Sequence, residues 1–156
     1  MITGMHHVGI SVANLERSIA FYRDLLGLQV IQQVPMRGAN YDAIMGLKGT
    51  DGRIAVLRTG NFEIELLEFQ RPPSRPAQPH HVSDQGISHF AVHVEDIPGL
   101  HARLIAAGVR VHSPPVYFAS CATTAVYFCD PDGNYIEMIE EKAQAPRPAE
   151  AALARR

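Results

Sequence analysis

Apolar residues along this chain recur at two periods, and the switches between them divide it into elements. Over residues 5–12 they alternate: His6, Val8, Ile10 and Val12 fall on one face, and His7, Gly9 and Ser11 on the other. This predicts a strand with one bulky side for a helix to cover and one nearly bare side beside His7. Asn14 supplies a helix N-cap, Leu15, Ile19, Tyr22, Leu25 and Leu26 recur at helical spacing, and Gly27 ends the run. A helix over 14–26 follows. Strands are expected over 28–34, 54–58 and 62–69, the last two joined about Thr59-Gly60-Asn61. Residues 35–52 carry no firm period, and 41–47 reads as a short helix or a lid.

The stretch Arg71-Pro72-Pro73-Ser74-Arg75-Pro76-Ala77-Gln78-Pro79 holds four prolines and fits neither a regular helix nor a central strand. It opens a linker over 71–86, in which His80 and His81 read as a solvated pair. The pattern then begins again. A strand is predicted over 87–94, a helix over 96–107 capped by Asp96 and ended by Gly108, and a strand over 109–112 broken by Pro114-Pro115. A hairpin over 123–129 and 135–141 turns at Asp130-Pro131-Asp132-Gly133-Asn134, whose residues favour tight turns. The tail from Lys142 is rich in Ala, Pro, Glu and Arg, with a short helix at 149–154 as its candidate element. The fold class is therefore α+β, with two paired βαβββ modules: 1–70, the linker 71–86, 87–141 and the tail 142–156.

The restart is an internal repeat. His7-Val8-Gly9-Ile10-Ser11-Val12-Ala13-Asn14 matches His89-Phe90-Ala91-Val92-His93-Val94-Glu95-Asp96, and Ile64-Glu65-Leu66-Leu67 matches Ile136-Glu137-Met138-Ile139. Each module places a histidine on the inner face of its first strand and a glutamate on the inner face of its last. A carboxylate among apolar neighbours such as Tyr135 and Ile139 needs a partner, because an unpaired buried charge is costly. Two imidazoles and two carboxylates, His7, Glu65, His89 and Glu137, suit a divalent first-row ion. The alternative is a duplicated core in which each His and Glu pair as a salt bridge. Gly9, Ser11, Leu67, Ala91, His93 and Ile139 share strand faces with these four and would line a cavity above them. Tyr117, Phe118 and Tyr127 are candidate walls of a substrate pocket, and His93 is a candidate proton carrier.

Composition narrows the classes. The chain has 156 residues, 46% of them hydrophobic, enough for a sizeable core and too many for global disorder. A net charge of −2 offers no basic surface for nucleic acid or an anionic membrane. No apolar run approaches a membrane span, and the first residues lack the regions of a signal peptide. Cys121 and Cys129 make neither a metal-type pair nor a disulfide framework, and on an alternating strand both would be small core residues. A reduced, cytoplasmic protein is expected.

The motifs His7-Val8-Gly9-Ile10-Ser11-Val12, Leu15-Glu16-Arg17-Ser18-Ile19-Ala20-Phe21-Tyr22, Leu26-Gly27, Ile64-Glu65-Leu66-Leu67, His89-Phe90-Ala91-Val92 and Asp130-Pro131-Asp132-Gly133-Asn134 with Ile136-Glu137 resemble the vicinal oxygen chelate superfamily over nearly the whole chain. The resemblance implies paired βαβββ modules forming a curved mixed sheet around a metal site. It implies His7, Glu65, His89 and Glu137 as ligands of one divalent ion (nickel, cobalt, zinc, manganese or iron), with Glu137 or Glu65 as the catalytic base. The ligand set is similar to that of glyoxalase I and methylmalonyl-CoA epimerase, which implies proton transfer α to a carbonyl of a small-molecule substrate, and a homodimer. Alternatives within the superfamily are an acyl-CoA epimerase, an iron-dependent extradiol-type dioxygenase and a small-molecule binding or resistance protein. Ser11 lies about where bacterial glyoxalase I carries an arginine that helps hold glutathione. Gly49, with Asp51 nearby, lies where the acyl-CoA epimerase carries a second carboxylate.

Overall fold

The computed structural model describes residues 1–75 and 81–141. The chain divides into two compact units: Met1–Pro79 with Asp130–Gly133, and His80–Cys129 with Asn134–Arg156. The predicted tail helix at 149–154, and His80, lie outside the described residues.

In the first unit, β1 (Val8–Ser11) leads into α1 (Leu15–Ala20), which continues as a π-helical turn over Phe21–Leu25. Then come β2 (Gln29–Arg37), α2 (Ala39–Met45), β3 (Asp51–Thr59) and β4 (Phe62–Arg71). The sheet order is β1-β4-β3-β2, with β1 parallel to β4 and the other pairs antiparallel. One face is the core: Ile10, Ala55, Leu57, Ile64 and Leu66 are buried there, as are Leu15, Ile19 and Tyr22 of the helical segment. Asn14 caps the helix by accepting from the Arg17 amide at 2.9 Å. Residues 41–47, which the sequence presents as a short helix or a lid, contribute most of α2. The second strand runs past its predicted end through Pro35, which an edge strand tolerates because no inner ladder needs its missing N–H. Register shifts between Asp51 and Gly52. A Cβ at Gly52 would come within 2.2 Å of the Glu68 carbonyl oxygen, so this bulge requires glycine.

The Asp130–Gly133 turn also belongs to the first unit. The Asp130 carboxylate accepts from the Tyr22 hydroxyl at 3.0 Å and from the Asp132 amide at 2.9 Å. Asp132 pairs with Arg17 and accepts from the Ala13 amide at 3.3 Å. Burial first, and then the Asp130 carboxylate, hold the Tyr22 phenol well above its ordinary pKa.

The second unit repeats the plan with β5 (Phe90–His93), α3 (Ile97–Ala106), β6 (Val116–Phe118), β7 (Thr123–Cys129) and β8 (Tyr135–Glu141) in the order β5-β8-β7-β6, β5 parallel to β8. Val126, Phe128, Ile136 and Met138 are buried on the core face, with Ile97 and Leu104 of α3. The expected strand over 109–112 is corrected. Val111 makes an isolated bridge to Phe128, and the regular strand starts after Pro114-Pro115, at Val116. Consecutive prolines lack the amides a ladder needs, so the pairing is interrupted and then resumes. Two of the expected strands start late, since neither 5–7 nor 87–89 is in a ladder. Cys129 is buried as expected, but Cys121 is exposed in the turn before β7. Ala122, at φ +52°, breaks the alternation that would have put both on one face. Among the described residues, no helix is long and apolar enough to cross a membrane.

Candidate metal centre

Strand register decides which side chains meet Glu65 and Glu137. In the first unit Gly9 and Val56 flank Glu65 as its neighbours across the two ladders. In the second, Ala91 and Tyr127 flank Glu137 in the same way. Each histidine stands two residues before the small flanking residue, just ahead of its strand. Gly9 and Ala91 put little bulk between imidazole and carboxylate. His7 Nε2 lies 3.7 Å from Glu65 Oε2, and His89 Nε2 lies 3.2 Å from Glu137 Oε2. The two pairs are partly exposed, their side chains 39% and 28% accessible in the first and 29% and 18% in the second, so both admit a ligand from solvent.

The other ring nitrogens are also held. His89 Nδ1 is 2.8 Å from Ser88 Oγ, and His7 Nδ1 is 2.8 Å from His6 Nδ1. Tyr127 adds an asymmetry: its hydroxyl lies 3.3 Å from His89 Nε2 and 3.5 Å from Nδ1, with the rings edge to face. Burial first, and then the Glu137 charge, raise the Tyr127 phenol above its ordinary pKa, so it is a neutral hydroxyl at pH 7. Valine occupies the corresponding place in the first unit.

The remaining candidates follow from the same register. Ser11 pairs with Leu67, and His93, exposed, pairs with Ile139. Phe118, paired with Thr123, stands on the face of Glu137, as does Tyr127. Tyr117, paired with Thr124, stands on the opposite face. Two glutamates that went unnoticed in the sequence have a structural part. Glu68 accepts from the Leu15 amide at 3.0 Å, and Glu140 accepts from the Ile97 amide at 3.3 Å, so the last strand of each unit holds the first amide of that unit's helix. Each lies three residues beyond a site glutamate, and odd spacing on a strand selects the opposite face. The signal was in the sequence as the repeated pair of glutamates in 65–68 and 137–140.

Among the described residues, no group of three or more His, Cys, Asp or Glu side chains is placed to hold a metal ion. What the structure assembles is two His–Glu pairs, one in each unit. The donor chemistry of each pair fits a divalent ion. Two ligands of one ion, each about 2.1 Å from it, stand no more than about 4.2 Å apart, and both Nε2–Oε2 separations, 3.7 and 3.2 Å, fall within that reach.

The family model of the Glyoxalase/Bleomycin resistance protein/Dioxygenase superfamily matches residues 4–138. A 2-epi-5-epi-valiolone epimerase from Actinomyces sp is 31% identical over 151 residues, which cover 91% of this chain and 81% of that protein. A lactoylglutathione lyase from Haemophilus influenzae is 27% identical over 138 residues, 88% of this chain and 92% of its own. The crystal structure of a glyoxalase family protein from Bacillus cereus superimposes with a TM-score of 0.81 at 26% identity, covering 92% of this chain and 97% of that one.

Proposed function

This chain belongs to the Glyoxalase/Bleomycin resistance protein/Dioxygenase superfamily, and from that premise we propose that it is a metal-dependent enzyme moving a proton α to a carbonyl of a small-molecule substrate. The observation that carries the reading is the duplicated His–Glu pair, at the same strand register in both units with Nε2 facing a carboxylate oxygen. His7 and Glu65 in the first unit, and His89 and Glu137 in the second, are the residues that would hold a divalent ion. A divalent ion bound there supplies Lewis acidity, which stabilises negative charge on substrate oxygens.

The chain's own residues do the rest. Glu137 takes the proton from the α-carbon. It follows the anchored Asp130–Gly133 turn, and it is the less exposed of the two site glutamates. Tyr127, neutral beside it, orients a substrate oxygen as a hydrogen-bond donor. Small neighbours, Gly9 beside Glu65 and Ala91 beside Glu137, leave room for a substrate next to each pair, with Leu67 and Ile139 further along the same strand faces. Ser11, in place of an arginine that would hold glutathione, favours epimerisation of a hydroxy-ketone over the glutathione-dependent lyase reaction. The 31% identity to an epimerase points the same way. A homodimer is part of the proposal. Val116 and Phe118 are exposed on β6, an edge strand that a second copy would cover. Light scattering should give twice the chain mass.

The decisive experiment loads the protein with nickel, cobalt, zinc or manganese and follows solvent deuterium into the α-carbon of polyhydroxy ketones, hemithioacetals and acyl-CoA thioesters. Exchange in the first class alone supports the epimerase. Exchange with hemithioacetals supports the lyase. No exchange in any class, with metal bound, removes the proton-transfer reading.

A further inference from the structure

The four proposed ligands do not explain the contacts on the far side of the two histidine rings. In both units the residue just before the histidine reaches its Nδ1: Ser88 Oγ to His89 and His6 Nδ1 to His7, each at 2.8 Å. Consecutive side chains of a regular strand point to opposite faces and do not meet in this way. They meet here because 6–7 and 88–89 lie just before β1 and β5, outside the ladders. Nδ1 is also the ring nitrogen nearer the backbone, so a short side chain at the preceding position can reach it while Nε2 projects towards the glutamate. The two partners differ chemically, a hydroxyl and an imidazole. What they share is an oxygen or nitrogen able to accept a hydrogen.

Each histidine has two neutral tautomers, with opposite consequences. With hydrogen on Nε2 the ring donates to its glutamate, and the pair closes on itself as an internal hydrogen bond. With hydrogen on Nδ1 the ring donates to Ser88 or His6, and the Nε2 lone pair faces the carboxylate across 3.2 or 3.7 Å. Two acceptors facing each other at that range call for a cation or a donor beside them; at His89 the Tyr127 hydroxyl, 3.3 Å from Nε2, can be that donor until an ion takes the lone pair. We infer that Ser88 and His6 are positioning residues that hold the hydrogen on Nδ1 of His89 and His7, and so select the ion-binding tautomer over the closed His–Glu pair. The inference rests on the metal reading above and adds to it the residues that make the histidines ligands. His6 serves only as a neutral acceptor carrying its own hydrogen on Nε2.

Zinc affinity, measured by competition with a chromophoric chelator, and the imidazole nitrogen shifts of labelled protein test this. Ser88→Ala and His6→Ala each weaken zinc binding about 10–100-fold, the usual effect of removing a hydrogen-bond partner of a ligating histidine, while Ser88→Thr stays within about threefold of wild type. Nitrogen shifts of the zinc-loaded wild type show hydrogen on Nδ1 and metal on Nε2 for His7 and His89. In Ser88→Ala the metal-free protein shifts His89 towards the Nε2-protonated form, a change that a purely structural role of the serine does not produce. Circular dichroism of each variant confirms that it is folded. Wild type that takes up zinc, with both alanine variants equal to it in affinity, overturns this inference alone. So does zinc found on Nδ1. Wild type that binds none of zinc, cobalt or nickel overturns the metal reading and this inference with it.

Discussion

Glu137 and Glu65 are chemically the same group in duplicated places, and their surroundings separate them. Glu137 faces Tyr127 across the ladder, whereas Glu65 faces Val56. Glu137 also stands closer to its histidine, 3.2 Å against 3.7 Å. A base is more effective when its position is fixed and its surroundings are drier, so the two substitutions should differ. Glu137→Gln keeps the shape and removes the proton acceptor. Its turnover should fall by about 10²–10⁴-fold, the usual worth of a general base, with little change in the thermal midpoint. His7→Ala should lose metal first and activity as a consequence. Elemental analysis beside a rate measurement distinguishes the two, because only the second variant should regain part of its rate at high metal concentration.

At the scale of elements, each sheet is tied to its helix through a glutamate on the face away from the site. Glu68 is held by the Leu15 amide and by both Nε and a terminal nitrogen of Arg53, at 2.9 and 2.7 Å. Burial alone would raise its pKa; the Leu15 amide and the Arg53 guanidinium outweigh burial and bring it below the ordinary glutamate value. A carboxylate depressed by folding stabilises the protein above its unfolded pKa and loses that contribution as pH falls through the folded one. Denaturant titrations from neutral to acid pH should therefore show Glu68→Gln less stable than wild type near neutrality. The gap should close as the pH drops below the ordinary carboxylate range. The cap of α3 is a second test. Asp96 accepts from the Gly99 amide at 2.9 Å, and a Cβ at Gly99 would come within 2.1 Å of that carboxylate. Asp96→Ala should cost about 0.5–2 kcal/mol. Gly99→Ala should cost a similar amount, since it displaces the same cap.

For the whole molecule, the two units share a topology, a register at the site glutamates and a helix tie. Their cores are independent of the ligand set. Leu66, fully buried on β4, should cost about 2–5 kcal/mol when changed to alanine, whether or not metal is present. Metal should instead act by mass action on the folded state. At a free concentration of 100 times Kd the added stability is about 2.7 kcal/mol, and a chelator should remove it. Calorimetry with and without chelator checks this. A thermal midpoint unmoved by metal and chelator alike would count against a site belonging to the native state.

Much of this was legible along the chain because alternation and helical spacing act locally. The period-two pattern at 62–69 and 135–141 put Glu65 and Glu137 on the face away from Ile64, Leu66, Ile136 and Met138, and those four residues are buried as the pattern requires. The repeat placed a histidine and a glutamate in each module. Local pattern did not reach the pairing of strands. That Gly9 lies beside Glu65 and Ala91 beside Glu137 depends on parallel ladders closed over long stretches of chain. Nor did it show that the Pro114-Pro115 break leaves only a bridge at Val111, or that Tyr117 turns from the face of Glu137 while Phe118 and Tyr127 keep to it. The same holds for Ser88 and His6. An alternating pattern assigns neighbouring side chains to opposite faces, and only the ends of the ladders, set by tertiary pairing, free residues 6–7 and 88–89 to meet. Residue types and periods were determined by the sequence itself. Register, strand ends and the partners of each imidazole nitrogen were decided by the tertiary structure, because they rest on hydrogen bonds between residues far apart in the chain.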